Sequence, residues 1–515
     1  MSTVKKLFNG SIAQTLHMLI MIGIGVVMLP FMISQLGESL YGMWIMIGGL
    51  TATLYLFDFG FASAVTRYMA KHIHQNDVES ANRTVNSALV IYTGLAGLVV
   101  ATTAVIAAIS SIWVNDPNNI DLVRILIVIA GLTLAVEFPF KAFAGISSAY
   151  VRYDLMAWSK IIIRLCATLS TIWALLAGYK LIAIALVQLG ASIVGSVVYA
   201  AIAFRLHESL RIGIRYVDAT TMRTLINYSG WTFVIDLSRL AKEKAPIFFV
   251  AAYLGTSTLT VYYVAVRLVE YALQLLTKAT GMSTPIFSAY HAKDDMDGLK
   301  EKLAVFLRIN FLLGMFAVFG LVLLGEPLIR LWMGSSFPYT DAYGALVILI
   351  CGKIASFIFA PLGSVLLAIS RHRWQAFLGL GEISASLVII FLGLAFFEAG
   401  LIAAALGASV PILIGRCLFL PWIINREIHY GIDKVYGELL LPSLLIGLAF
   451  IISTLLLRAV TVTTLFDLLL FGVIISAVYW ILSLLCLKPV ERKYLVSMLP
   501  KKFSTFLPKR FLKLG

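Results

Sequence analysis

Apolar runs of about 20 residues recur along the chain, separated by short polar connections. Each is long enough to cross a hydrocarbon core of about 30 Å as a helix. Such windows predict about fourteen spans, at 10–35, 40–66, 85–111, 122–149, 159–178, 181–204, 225–254, 257–287, 303–325, 343–369, 375–397, 400–424, 439–458 and 466–487. A membrane β-barrel shows shorter alternating segments, which are missing here. The fold class is therefore all-α and polytopic in a membrane. The first run exceeds a signal-peptide core and shows no small-residue cleavage site, so it is read as the first span.

The connections alternate in charge. One set carries Lys5 and Lys6, then Arg67, Lys71 and Arg83, then Arg152 and Lys160; it continues with Arg205, Arg211, Arg215 and Arg223, then Lys293, Lys300 and Lys302, and ends with Arg371, Arg373, Arg426 and Lys434. The other set is nearly free of positive charge, with Lys180, Arg330 and Arg458 as exceptions. The positive-inside rule places the basic set, and both termini, in the cytoplasm.

Composition agrees: 60% of the 515 residues are hydrophobic and only 13% charged. A net charge of +14 in so apolar a chain reads as basic loops facing anionic lipid, not as a nucleic-acid surface. The segment from Lys488 onward interleaves Lys and Arg with Leu and Phe, as expected of a tail on the inner leaflet. Cys166, Cys351, Cys417 and Cys486 lie in apolar runs without metal-ligand spacing and are read as small core residues.

The chain repeats itself. Asn9-Gly10-Ser11 matches Asn227-Tyr228-Ser229, and Leu36-Gly37 matches Leu254-Gly255, each pair 218 residues apart. Further on, Tyr68-Met69-Ala70-Lys71 matches Tyr290-His291-Ala292-Lys293, and Pro139 matches Pro361, at 222. A slip of four residues is about one helical turn. The expected organisation is a six-helix bundle over 1–210, a second over 211–430, two extra spans over 431–487 and a basic tail over 488–515. Parallel repeats of this kind hold substrate near mid-membrane between the halves.

Ionisable residues within spans are costly and mark partners or wet cavities. In span seven, Asp236, Arg239 and Glu243 share a helical face with Lys242 beside it. In span eight, Tyr263, Arg267, Glu270, Gln274 and Lys278 form one stripe. Span two carries Asp58 on a face with Thr51 and Tyr55, and span four carries Glu137 and Lys141 around Pro139. Internal ion pairs, such as Asp236 with Arg239, Arg267 with Glu270 or Glu137 with Lys141, are the competing account. Arg164, Arg308 and Arg416 are read as snorkelling near the basic rim; Lys353 and Glu382 lie deeper. The excess of basic groups favours an anion such as phosphate over an organic cation.

No Walker A loop, HExxH or GxSxG motif occurs, so neither an ATP motor nor covalent catalysis is expected. No cofactor is expected; H⁺ or Na⁺ is the candidate coupling ion.

The stretch "QLGESLYGMWIMIGGLTATLYLFDFGFASAVTRYMA", Gln35 to Ala70, resembles the opening spans of the multidrug/oligosaccharidyl-lipid/polysaccharide exporter superfamily, and within it the Wzx-type repeat-unit flippases. The resemblance implies two six-helix bundles around a cavity that opens alternately to each side. It implies a substrate of oligosaccharide on undecaprenyl pyrophosphate, a role in O-antigen or similar surface polysaccharide synthesis, and polysaccharide polymerase and chain-length regulator as partners. In the related lipid II flippases the last two helices form a groove for the lipid tail, and spans thirteen and fourteen are expected to do likewise. Those flippases carry arginines in the first helix, where this chain has Gln14 and His17, so a substrate other than lipid II is implied.

Arg239, Lys242, Arg267, Lys278 and Lys141 are thus expected to bind pyrophosphate. Tyr55, Tyr263 and Gln274 are expected to meet the glycan, and Asp58, Asp236, Glu270 or Glu137 to couple an ion. The alternatives are an ion-coupled multidrug antiporter of the same superfamily and a membrane glycosyltransferase or polymerase. The second would need a large outer loop bearing catalytic acids, and every outer connection is short.

Overall fold

A computed structural model describes residues 3–113, 117–280, 283–371, 373–458, 462–485 and 487. The tail from Lys488 lies outside the described residues, so the reading of it as a leaflet-bound segment does too. The described residues form helices and turns, with no strand among them.

The helices, in chain order, are α1 (Thr3–Leu54), α2 (Phe61–His74), α3 (Val78–Ala108), α4 (Ser110–Trp113), α5 (Ile120–Ala149), α6 (Tyr153–Leu176), α7 (Leu181–Leu206) and α8 (Ala219–Thr280). They continue with α9 (Ser283–Ala292), α10 (Met296–Met333), α11 (Tyr339–Ile358), α12 (Ala360–Ala368), α13 (Arg373–Ala395), α14 (Gly400–Ile414), α15 (Leu420–Ile428), α16 (Ile432–Arg458) and α17 (Leu465–Leu485).

Among the described residues, twelve segments are long and apolar enough to cross a membrane. Two of them, Asn9–Asp58 of 50 residues and Leu240–Ala292 of 53, would each run about 75 Å as straight helix, more than twice a hydrocarbon core. Both are broken. Gly37 has φ 78° and ψ 164°, and Gly255 has φ 84° and ψ 169°, a conformation only glycine adopts cheaply. Each long segment therefore holds two crossings, which gives the fourteen that hydropathy predicts.

The two breaks are the 218-residue repeat in physical form. It continues past them. Asp77 and Asp295, again 218 apart, cap α3 and α10; Asp77 accepts the Ser80 N–H at 3.0 Å and Asp295 the Gly298 N–H at 2.8 Å.

The chain divides into two compact units, Met1–Tyr263 and Val264–Gly515. In the first, α5 packs between α3 and α7, and α1 lies on α6. Its core centres on Val65, Met69, Tyr92, Leu134, Phe138 and Ile146. In the second, α14 packs against α11 and α13, while α16 and α17 lie on α10. There Tyr479 of α17 packs with Phe319 of α10 and donates its hydroxyl to the Leu312 carbonyl at 2.6 Å.

Three of the cysteines depart from expectation: Cys166 and Cys351 are exposed and Cys417 half-buried, all with free thiols, while Cys486 lies outside the described residues. A helix face that meets lipid is as apolar as a core, so the sequence pattern does not separate the two.

Candidate functional site

The polar interior of the first unit begins at "YLFDFG", Tyr55 to Gly60. After α1 the chain tightens into a 3₁₀ turn at Tyr55–Asp58, and then Phe59 (φ 46°) and Gly60 (φ 77°) both turn left-handed. A left-handed phenylalanine costs roughly 1 to 2 kcal/mol. Packing of the Phe59 ring between Phe57 and Phe61, with centroids 6.2 and 6.4 Å away, offsets part of it.

Asp58 accepts hydrogen bonds from the Tyr92 hydroxyl at 2.8 Å and from Lys141 Nζ at 3.4 Å. Lys141 reaches Asp58 and not Glu137, its neighbour one turn earlier on α5. Its ammonium also lies over the rings of Tyr55 and Phe138, 4.5 and 4.4 Å from their centroids. The Tyr55 hydroxyl donates to the Glu137 carboxylate. With every group ionised, the cluster contains two carboxylates and one ammonium, leaving one negative charge.

Also within the first unit, the segments that follow the two glycine breaks lie against each other. A Cβ on Gly42 would fall 1.9 Å from the Thr256 carbonyl oxygen, so glycine alone permits the approach. The hydroxyls of Ser39 and Thr256 are 3.2 Å apart. Thr260 donates its hydroxyl to the Glu38 carbonyl at 2.7 Å, and Tyr41 meets Tyr263 edge to face, with centroids 6.3 Å apart.

In the second unit Arg267 pairs with Glu270 at 2.8 Å, the intrahelical pairing that its spacing allows. Gln274 and Lys278 on the same helix are exposed, and Lys242 of the first unit is half-buried. Asp236 and Arg239 sit on α8, but their side chains lie outside the described residues.

Two arginines read as snorkelling do otherwise. Arg308 is 4% exposed and binds Glu438 at 3.1 Å. Arg416 holds the buried Glu382. Its Nε lies 2.8 Å from one carboxylate oxygen, too bent for a hydrogen bond, while Nη2 donates to the other at 3.2 Å. Arg416 stands in a π-helical turn, Gly415–Phe419, whose Cys417 carbonyl accepts the Tyr436 hydroxyl. Both arginines have carboxylate partners far away in sequence, which helix periodicity does not reveal.

The second unit also contains an apolar groove of about 280 Å³. Phe316, Gly320 and Leu324 of α10 form one wall and Leu468, Gly472 and Ile475 of α17 the other. Ser476 contributes a hydroxyl to an otherwise hydrocarbon lining. Among the described residues, no cluster of His, Cys, Asp and Glu has the arrangement of a metal site.

A family model described as polysaccharide biosynthesis protein matches residues 17–340. The chain belongs to this family. One relative, the uncharacterized membrane protein EpsK of Bacillus subtilis (strain 168), is 21% identical over 418 residues, covering 80% of this chain and 82% of that one. The fold is shared with the lipid II flippase MurJ in an inward closed conformation, at TM-score 0.71 and 15% identity, over 92% of this chain and 97% of that one. An inward-facing multidrug resistance MATE family transporter of the MOP superfamily superposes at TM-score 0.65 and 13% identity, over 80% of this chain and 94% of the transporter. The resemblance drawn from Gln35 to Ala70 is thus borne out in family and in fold.

For this family member, the sequence singled out Asp58, Tyr55, Glu137 and Lys141, and the structure brings those four together. It missed Tyr92, whose hydroxyl completes the cluster. The signal was weak: a lone tyrosine in an apolar span usually reads as core.

Proposed function

We propose that the chain is a flippase that carries polyprenyl-pyrophosphate-linked oligosaccharide repeat units from the cytoplasmic to the outer leaflet by alternating access. The observation that carries this reading is the apolar groove between α10 and α17. A substrate with a long hydrocarbon tail needs such a surface to keep the tail in apolar surroundings while its headgroup crosses. A soluble drug needs none. Membership of a polysaccharide biosynthesis family and the fold shared with a lipid II flippase support it.

In this reading Arg239, Lys242, Arg267 and Lys278 meet the pyrophosphate, and Tyr263 and Gln274 the glycan. Lys141 is held by Asp58, so it serves the headgroup only when that carboxylate is protonated or bound to a cation. The cluster of Asp58, Glu137 and Lys141 is then the coupling element for H⁺ or Na⁺. The seam of Ser39, Gly42, Thr256 and Thr260 is the part that separates when the outer side opens. The site is the inner membrane of a bacterium, with both termini cytoplasmic; polymerase and chain-length regulator are the expected partners.

The test is Arg267→Ala. Surface polysaccharide should be lost, with lipid-linked glycan accumulating by mass spectrometry and the protein still in the membrane. Normal surface glycan would overturn the site. The carboxylate excess beside Asp58 favours one second reading, an ion-coupled multidrug antiporter; drug resistance on overexpression with normal glycan export would establish it.

A further inference from the structure

The connection between α7 and α8 holds two exposed isoleucines in a clamped backbone. Asn82 of α3 donates its amide to the Ser209 carbonyl at 3.1 Å and accepts the Arg211 N–H at 2.8 Å. One turn on, Asn86 donates to the Arg211 carbonyl at 2.8 Å and accepts the Gly213 N–H at 2.9 Å. Ser87 bonds both the N–H and the carbonyl of Asp218. All three side chains are buried, and they pair with the connection much as a neighbouring strand would. Leu210 anchors it in the core.

A connection fixed this firmly could turn its apolar residues inward, yet Ile212 is 49% and Ile214 91% exposed. Leaving an isoleucine in water forgoes about 1.5 to 3 kcal/mol. Arg211 and Arg215 flank them, both exposed. The Arg215 guanidinium lies 4.8 Å over the Tyr216 ring, a pairing of aromatic and cation suited to a membrane interface. The membrane-crossing segment Leu181–Leu206 ends at the start of this connection, so the strap lies at interface depth. Of the two acids along it, Asp218 is occupied by the hydroxyls of Thr220 and Thr221, which hold its carboxyl well below the usual range.

We propose that the strap of residues 207–218 is a rigid anchor for anionic phospholipid, with Ile212 and Ile214 entering the headgroup layer and Arg211 and Arg215 engaging its phosphates. The inference is independent of the flippase reading, since it concerns how the protein seats in its leaflet, whatever it carries. The full chain, with Cys166, Cys351, Cys417 and Cys486 replaced by serine and Ile214→Cys spin-labelled, is placed in vesicles with and without phosphatidylglycerol. In anionic vesicles the label should be relaxed by oxygen and shielded from a nickel chelate. Arg211→Gln with Arg215→Gln should reverse this, at roughly a fivefold loss of partitioning per arginine. A nickel-accessible label in anionic vesicles overturns the proposal. So does a label shielded from both reagents, which marks protein against protein, or one indifferent to lipid charge and to both arginines. In the unaltered protein, hydrogen exchange at the amides of Ile212, Ile214 and Arg215, which the clamp does not engage, should slow in phosphatidylglycerol nanodiscs relative to phosphatidylcholine; equal rates there overturn the proposal without any variant.

Discussion

Asp58 and Lys141 are 83 positions apart in the chain and 3.4 Å apart in the fold. The aspartate owes its place to the left-handed turn at Phe59 and Gly60, the lysine to its position one turn after Glu137 on α5. With side chains 21% and 15% exposed, neither is well hydrated. Lys141→Met should lower stability by about 2 to 3 kcal/mol, somewhat under the loss for a fully buried pair. Asp58→Asn with Lys141→Met should cost less than the two single changes added together. Thermal melts in detergent check the cycle; additive losses would show that the two are not coupled.

The Gly42 and Thr256 contact should separate during turnover. In a background lacking the native cysteines, Ser39→Cys with Thr256→Cys should form a disulfide on oxidation, since the native hydroxyls are 3.2 Å apart. Export should stop on oxidation and return with reductant. A cross-linked protein that still exports would show the seam to be static.

The groove has room for a ring at Gly472, whose added Cβ would meet nothing closer than Leu324 at 3.8 Å. Gly472→Phe should therefore fold and melt near the parent protein while it fills the space a lipid tail needs. Native mass spectrometry should show loss of bound polyprenyl phosphate, and export should fall with it. Undiminished lipid binding would place the tail elsewhere.

His207, at the start of the strap, is 7% exposed. Its Nδ1 meets the Tyr150 hydroxyl at 2.9 Å and its Nε2 the Ser209 hydroxyl at 3.3 Å. Burial holds its pKa below the ordinary 6.5, so the unfolded chain binds a proton more readily than the folded one. Its stabilising share is then complete above 6.5 and declines as pH falls through that value towards the folded pKa. Melting temperatures between about pH 8 and about pH 5 should fall for the parent and less steeply for His207→Gln. Parallel curves would remove His207 as the cause.

How much of this the sequence determines follows from the kind of interaction involved. The spans, the alternating charge of the connections, the 218-residue repeat and the breaks at Gly37 and Gly255 are one-dimensional facts. Each depends on a run of hydrophobicity, a bias in charge or a residue with no Cβ, and each is legible along the chain. The Arg267 and Glu270 pair is legible too, because three positions on a helix fix its geometry. What the tertiary structure alone decides is the partner of a charge across elements: Lys141 with Asp58 and not Glu137, Arg308 with Glu438, Arg416 with Glu382, and Asn82 and Asn86 with the backbone of the strap. Helix periodicity gives the direction of a side chain but not the neighbour it meets. In a bilayer, lipid-facing and core-facing surfaces are equally apolar, so only packing tells which helices meet and which charges neutralise one another.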